Sequence, residues 1–322
     1  WHRIFDVNVP VGLAAILLSA FIQKEWRGGM RRPFDWKGFV AIVLFMPLTI
    51  YALARGNSPA NHEGWASPTV IACFAVAAAA FAFFIVTELR NPAPLLQIRL
   101  LGERNFGVSM GVLTLFSVGM LGGTYLLPLY MQRGLGYTAL MAGSVFLPVG
   151  LIQGVLSAVS GYMTRYVKPL LLVVAGILVM ALSFWLASRF TLHTTHRHIL
   201  FVLYLRGLGM GLTFAPLNLF SLKNLTQEDM AAAAGISNSI KQLAGSFGIA
   251  ILTAVLAART AYHTAHETLP AAQTYVEGVT DALSVVVWLT LTSAVPLVWV
   301  LLRKRPRRNP PAQANAAAEF GK

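Results

Sequence analysis

Long apolar runs separated by short charged gaps constrain this chain more than any other feature of its sequence. The run from Val70 to Val86 contains no charged residue, and a helix needs about 20 apolar residues to cross a hydrocarbon layer of about 30 Å. Similar runs recur along almost the whole chain, so we predict an all-α polytopic membrane protein with about nine transmembrane helices. These helices are expected near residues 7–22, 38–53, 67–87, 106–130, 140–162, 169–187, 199–222, 231–256 and 282–302.

Composition excludes several other classes of protein. The chain is 56% hydrophobic and 11% charged, whereas a soluble domain has about 25% charged residues, so no soluble domain is expected. The net charge of +13 does not predict a nucleic-acid partner, because the basic residues cluster at the ends of apolar runs instead of forming one basic face. Cys73 lies inside an apolar run and is the single cysteine, which excludes a disulfide within the chain.

The basic residues also predict the orientation in the membrane. Alternate gaps between the runs hold sixteen Lys and Arg residues, and the opposite gaps hold six. Cytoplasmic loops carry the excess of positive charge, so we expect a cytoplasmic C-terminus and residue 1 on the external side. Three longer segments are expected to lie outside the spans: an interfacial amphipathic helix within 88–105, a polar loop at 259–281, and a basic disordered tail at 303–322.

Six short motifs follow one another in a fixed order. They are WHRIFDVNVPVG at 1–12, RRPFDWKG at 31–38, PAPLL at 92–96, YLLPLYMQ at 125–132, RGLGMG at 206–211 and KQLAGSFG at 241–248. Together they resemble the fourteen-helix drug:proton antiporters of the EmrB/QacA type in the major facilitator superfamily. The resemblance implies a partial major facilitator fold, seen as a C-terminal portion that lacks the first five helices.

The same resemblance implies a domain organisation. Residues 1–22 would be the last helix of the N-terminal bundle, 23–88 two extra central transmembrane helices, 89–105 a cytoplasmic amphipathic linker and 106–302 the C-terminal six-helix bundle. The chain departs from the family pattern at Asp6, where an apolar or aromatic residue is usual. It departs again at Thr164, which replaces the aspartate of a cytoplasmic gate motif and leaves Gly161 and Arg165 as gate candidates.

Two basic residues fall inside predicted spans. Arg206 is expected about 10 Å deep and Lys241 near the midplane, from a rise of about 1.5 Å per residue. A charge at the centre of a membrane costs at least about 2.5–3.5 kcal/mol and usually faces a cavity or an acidic partner. Asn238, Lys241, Gln242 and Gly245 are spaced to share one helix face, which we predict to line a substrate cavity. Asn218 and Gln153 are weaker candidates, and Phe116, Met120, Tyr125 and Phe214 are expected to form apolar walls.

Structural hydrogen bonding between helices is the alternative explanation for these polar residues, and for the neutral ones the two explanations carry about equal weight. The glycines at 207, 209 and 211 superficially form a nucleotide-binding pattern, but no strand precedes them, so helix packing is the better interpretation. His193, His196 and His198 are interpreted as a solvated loop, and no metal site is expected. No pattern of an enzyme active site is present either.

The function implied by the resemblance is multidrug or toxic-compound efflux by proton-coupled antiport across the bacterial inner membrane. The energy source would be the proton gradient, with no cofactor. The expected partners are the lipid bilayer, small amphiphilic substrates, a periplasmic adaptor and an outer-membrane channel. Two alternatives stay open: an exporter of one specific metabolite or organic acid on the same fold, and a non-transporting membrane scaffold.

Overall fold

The structure is a computed structural model that describes residues 8–22, 35–56, 61, 63–91, 97–227 and 229–302. The chain divides into two units, Trp1–Asp35 and Trp36–Lys322. In the first unit the described residues form helix α1, Asn8–Ile22. Its 15 residues span about 22 Å at 1.5 Å per residue, less than a hydrocarbon layer of about 30 Å.

The described part of the second unit is helical and contains no strand. Its α-helices are α2 Trp36–Gly56, α3 Pro68–Arg90, α4 Arg104–Leu129, α5 Ala139–Ser144, α6 Leu147–Met163, α7 Pro169–Ala187, α8 His196–Leu222, α9 Met230–His266, α10 Ala271–Thr292 and α11 Val295–Leu302. Short 3-10 helices lie at Gly64–Ala66 and Ile98–Gly102. A π-helical turn, Tyr130–Gly134, extends α4.

Eight segments of the described chain are long and apolar enough to cross a membrane. They correspond to eight of the nine predicted spans, and α1 corresponds to the remaining one. The predicted all-helical, polytopic architecture is therefore confirmed. The span predicted at 140–162 is interrupted, because α5 ends at Ser144 and α6 begins at Leu147, just before Pro148. Proline fits the first turn of a helix, because the N–H that it lacks would have no partner inside the helix. Pro148 therefore favours a helix start at this point.

Helix α4 lies at the centre of the second unit, where it packs against α8, α9 and α10. Helix α8 packs in turn against α6 and α7, and the α2–α3 hairpin touches α9 over a smaller area. The buried core consists mainly of aliphatic and aromatic side chains from α4, α7, α8 and α10. Lipid is as apolar as these side chains, so close van der Waals packing and hydrogen bonds, more than exclusion of water, hold such helices together.

Glycines set the closest helix contacts. A Cβ on Gly209 would lie 2.9 Å from the backbone nitrogen of Met180, and a Cβ on Gly176 would lie 2.9 Å from the carbonyl oxygen of Gly209. The α7 and α8 backbones therefore touch directly. Gly211 meets the Gln153 carbonyl in the same way, so the packing role predicted for the glycines of α8 is confirmed.

Two predicted loop features differ in the structure. Residues 259–281 were expected to be a polar loop, but α9 continues to His266 and α10 starts at Ala271. The segment 256–269 is rich in Ala and contains no Gly or Pro before Pro270, so α9 continues beyond its apolar part. Ile98–Gly102 forms a 3-10 turn instead of an amphipathic α-helix. The assignment of 89–105 to a cytoplasmic linker stays a prediction, and the tail beyond residue 302 lies outside the described residues.

Candidate functional site

Lys241 lies against one ring of an aromatic pair that is contributed by two other helices. Its Nζ lies 4.8 Å from the ring centroid of Phe214 on α8, within the range of a cation–π contact. The Phe214 ring packs edge-on against Phe116 of α4, with centroids 5.6 Å apart. Phe116 is fully buried, whereas Lys241 and Phe214 are half-buried. The structure thus places a cation at the exposed edge of an aromatic pair.

The polar neighbours of Lys241 on α9 are more exposed than the lysine itself. Asn238 and Gln242 are both exposed, while Gly245 is buried against Leu121 of α4. The predicted face of α9 therefore turns from packing at Gly245 to an open surface at Asn238 and Gln242. An amine that is held by an aromatic face and flanked by amides can attract an anionic or polar group of a small molecule.

Arg206 forms a separate site that is buried inside the bundle. It is 1% exposed, and its guanidinium donates to the Met120 carbonyl oxygen at 3.1 Å and to the Thr124 hydroxyl. Its Cζ lies 5.1 Å from the ring centroid of Phe184. No open cavity and no carboxylate adjoins it among the described contacts. The geometry of Arg206 matches the alternative explanation, hydrogen bonding between helices α4 and α8.

The two gate candidates lie at the end of α6. Gly161 is half-buried in the last turns of α6, and the Thr164 hydroxyl donates to its carbonyl oxygen at 2.6 Å. Arg165 is exposed, with its Cζ 5.3 Å from the ring centroid of Tyr162. A threonine hydroxyl carries no charge and cannot replace the aspartate of a charge pair, and Arg165 contacts an aromatic ring instead.

The remaining candidates do not join the Lys241 cluster. Tyr125 is 43% exposed and lies nine residues after Phe116 on α4, which is half a turn away at about 100° per residue. Asn218 is exposed and Gln153 is half-buried. Met120 is buried beside Arg206. The predicted apolar walls are therefore split between the bundle core and different faces of α4.

The sequence did not predict two adjoining cavities, of about 480 and 390 Å³, between the α2–α3 hairpin and α9. Phe45, Phe81, Ile240 and Leu243 line both of them. The walls are almost entirely apolar, and the Thr49 hydroxyl at one wall donates to its own helix at Phe45 O, 2.7 Å away. Finding such cavities requires knowledge of how two helices far apart in sequence pack, which periodicity does not supply.

The fold defines a multi-pass helical membrane protein, with Lys241 at the edge of an aromatic pair and Arg206 buried between helices. Comparison with known families makes the class specific. The model of the Major Facilitator Superfamily matches residues 1–249, and the chain belongs to this superfamily. Membership and the eight apolar helices support a multi-pass location in the bacterial inner membrane. The predicted resemblance is thereby confirmed.

Similar proteins include several exporters. The chain is 31% identical over 271 residues to the multidrug export protein EmrB of Escherichia coli strain K12, covering 83% of this chain and 52% of EmrB. It is 30% identical over 312 residues to the puromycin resistance protein pur8 of Streptomyces alboniger, covering 95% of this chain and 61% of pur8. It is 27% identical over 264 residues to the fatty acid resistance protein FarB of Neisseria gonorrhoeae, covering 82% and 52%. The chain spans about half the length of most of the curated relatives it matches.

Proposed function

We propose that this chain forms the C-terminal part of a proton-coupled exporter of drugs or other toxic amphiphiles. The names of its relatives, which include a multidrug export protein and a puromycin resistance protein, support export as the activity. Efflux would follow from rocking of two helix bundles about a binding site near the membrane midplane. Protons and substrate would each bind one of the inward-facing and outward-facing states better than the other, and would thereby shift the populations of the two states.

The observation that carries this proposal is the contact of Lys241 with Phe214. The amine lies 4.8 Å from an aromatic centroid inside an apolar span. A charge in such a span destabilises the protein, so its presence there indicates a functional role. Half-burial leaves the Lys241 side chain accessible, so a substrate can approach it. Because Lys241 carries positive charge, neutral and anionic amphiphiles are favoured as substrates over cationic dyes.

The test is efflux by the native gene product that contains this chain, in a drug-sensitive host under an imposed proton gradient. Lys241→Ala is compared with Lys223→Ala, since Lys223 is an exposed lysine at the end of α8. We expect Lys241→Ala to reduce gradient-driven efflux of an anionic amphiphile about tenfold, as the loss of an interaction of about 1.4 kcal/mol would. Lys223→Ala should leave efflux unchanged at equal membrane abundance.

Equal efflux by both variants would remove Lys241 from the transport path. A stronger preference for cationic dyes than for anions in the unaltered protein would contradict the proposed substrate class. Efflux that persists when the proton gradient is collapsed would contradict proton coupling. Absence of any efflux by the unaltered protein would favour the scaffold alternative.

A second candidate function is export of one specific metabolite. Relatives with single-compound names, such as the cephamycin export protein CmcT of Amycolatopsis lactamdurans, support it. Competition between chemically unrelated substrates separates the two functions, because a multidrug site binds them in turn and a specific site rejects most of them. A periplasmic adaptor and an outer-membrane channel are proposed partners, and co-purification with the native gene product tests them. The predicted orientation, with a cytoplasmic C-terminus, is tested by the accessibility of a C-terminal tag.

A further inference from the structure

Helix α9 is much longer than a membrane span requires. It contains 37 residues and is therefore about 55 Å long, whereas about 20 residues cross the hydrocarbon layer. Its last turns extend past the apolar region and lie beside the start of α10. Gly278 of α10 makes this approach possible, because a Cβ there would lie 3.1 Å from the backbone nitrogen of Thr260.

Four titratable side chains meet at this junction. His263 Nδ1 lies 3.0 Å from Glu267 Oε1 and 3.5 Å from Glu277 Oε2. Its other nitrogen, Nε2, lies 3.1 Å from Asp281 Oδ2. The histidine side chain is 13% exposed, while the three carboxylates are 34–38% exposed. The cluster is thus anchored by a largely buried imidazole but open to solvent through its carboxylates.

We propose that His263, Glu267 and Glu277 form a binding site for a divalent transition-metal ion, with Zn²⁺ as its best-matched ion. This site is independent of the proposed transport function. One imidazole nitrogen and two carboxylate oxygens, all within 4.8 Å of one another, are ligand types that bind Zn²⁺, and three of them leave a fourth position for water. Mg²⁺ and Ca²⁺ prefer ligand sets made only of oxygen and do not suit an imidazole.

The ligand spacing matches tetrahedral coordination. Zn²⁺ bonds of about 2.0–2.1 Å in a tetrahedron place neighbouring donor atoms about 3.3 Å apart. The separations from His263 Nδ1, 3.0 and 3.5 Å, bracket that value. The two carboxylate oxygens lie within 4.8 Å of each other, so they must approach one another by up to about 1.5 Å to reach the tetrahedral spacing.

Further side chains orient these ligands. When the Nε2–H of His263 donates to Asp281, the imidazole presents the Nδ1 lone pair to the metal, which is the arrangement seen in carboxylate–histidine–zinc triads. Glu277 Oε1 accepts from the Gln273 amide at 3.3 Å, which leaves Oε2 for the ion. Arg259 lies 3.7 Å from Asp281. With a neutral imidazole, three carboxylates and one guanidinium leave a net charge of −2, which a dication neutralises.

Binding would clamp the external-side ends of α9 and α10, on the orientation predicted from the basic residues. The sequence did not indicate this site, because His263 and Glu267 come from one helix and Glu277 from the next. Their spacing forms no recognised metal motif, and helix α9 had been expected to end before His263.

The experiment is calorimetric titration of the purified, chelator-treated full chain in detergent micelles with Zn²⁺, and with Mg²⁺ as the comparison ion. We expect one Zn²⁺ per chain and no Mg²⁺ binding at the same concentrations. His263→Ala and Glu277→Gln should each weaken Zn²⁺ binding at least tenfold. Asp281→Asn should weaken it by about 10–100-fold, as does the loss of other carboxylates that orient a ligating histidine. His266→Ala is the matched control and should bind normally, because His266 lies one turn away and contacts Tyr262.

Hydrogen exchange provides a second readout that does not depend on affinity. Zn²⁺ should slow exchange of the amides in the last two turns of α9 in the unaltered chain and in His266→Ala, but not in Glu277→Gln. Absence of saturable Zn²⁺ binding in the unaltered chain overturns the proposal. So does an affinity that falls equally in the His266→Ala control, or one that is unchanged in both Glu277→Gln and His263→Ala.

Discussion

Replacing Arg206 by methionine should disturb the bundle far less than replacing it by alanine. The guanidinium is fully buried, donates to Met120 O and Thr124 Oγ1, and contacts the Phe184 ring. Its charged hydrogen bonds contribute about 1.5–3 kcal/mol, and the aromatic contact up to about 2 kcal/mol. Removing the charge also relieves a desolvation penalty of several kcal/mol, so the two effects nearly cancel.

The partners of Arg206 decide the outcome. The Thr124 hydroxyl already donates to the Met120 carbonyl oxygen at 2.6 Å, so removal of Arg206 leaves neither group without a hydrogen bond. Arg206→Met also fills most of the space with an unbranched apolar chain. We therefore expect a free energy of unfolding within about 1–2 kcal/mol of the unaltered protein. Arg206→Ala adds a cavity that costs a further 2–5 kcal/mol, roughly, as in other large-to-small core changes.

The assay is reversible unfolding in mixed micelles with increasing SDS, monitored by circular dichroism. Arg189→Met is the control, because Arg189 is exposed and rests 5.3 Å from the Trp185 ring, so its loss should change the free energy of unfolding by less than about 1 kcal/mol. If Arg206→Met is as destabilising as Arg206→Ala, the positive charge itself holds the bundle together. The packing explanation of Arg206 would then be wrong, and an anionic partner would have to be sought.

Three further predictions follow from the helix contacts. Gly176→Val should greatly lower the yield of folded protein in detergent, because the added atoms meet the α8 backbone. Gly150→Val should be tolerated, because a Cβ there meets nothing within 4 Å. Size-exclusion chromatography measures the yield of each folded variant. A double-mutant cycle of Lys241→Met and Phe214→Leu, measured by SDS unfolding, should give a coupling energy of about 0.5–2 kcal/mol, and strict additivity would contradict the cation–π contact. Phe116→Ala should impair efflux by the native gene product more than Tyr125→Ala does, because Phe116 packs on Phe214 and Tyr125 faces the other side of α4. An equal loss would show that the proposed substrate site includes both faces of α4.

Helix type and approximate number could be predicted from the sequence, because a run of about 20 apolar residues has one stable solution in a membrane. The packing role of Gly207 and Gly211 was also predictable, since residues four apart lie on one helix face. The end of α9 was not. Apolarity marks where a helix leaves the membrane. Helix α9 continues to His266 beyond its apolar part, where it packs against α10.

The candidate site divides in the same way. The sequence identified Lys241 and Arg206 as the charges that needed an explanation, because either residue is expensive inside a span. It gave them different depths, but it could not show what each side chain contacts. The tertiary structure supplied these contacts: the half-buried Lys241 lies over the Phe214 ring of α8, whereas Thr124 and Phe184, from two different helices, contact the buried Arg206.

By itself, then, the amino-acid sequence determined that the protein is a bundle of membrane helices and which of its residues carry unusual chemistry, because burial of apolar runs in lipid is a local requirement of each helix. Which polar residues meet was decided by the tertiary structure alone. Lys241 with Phe116 and Phe214, or His263 with Glu277 and Asp281, come together only because particular helices cross at particular depths. Those crossings depend on where glycines allow two backbones to touch, and on the shapes of side chains that are far apart in the chain.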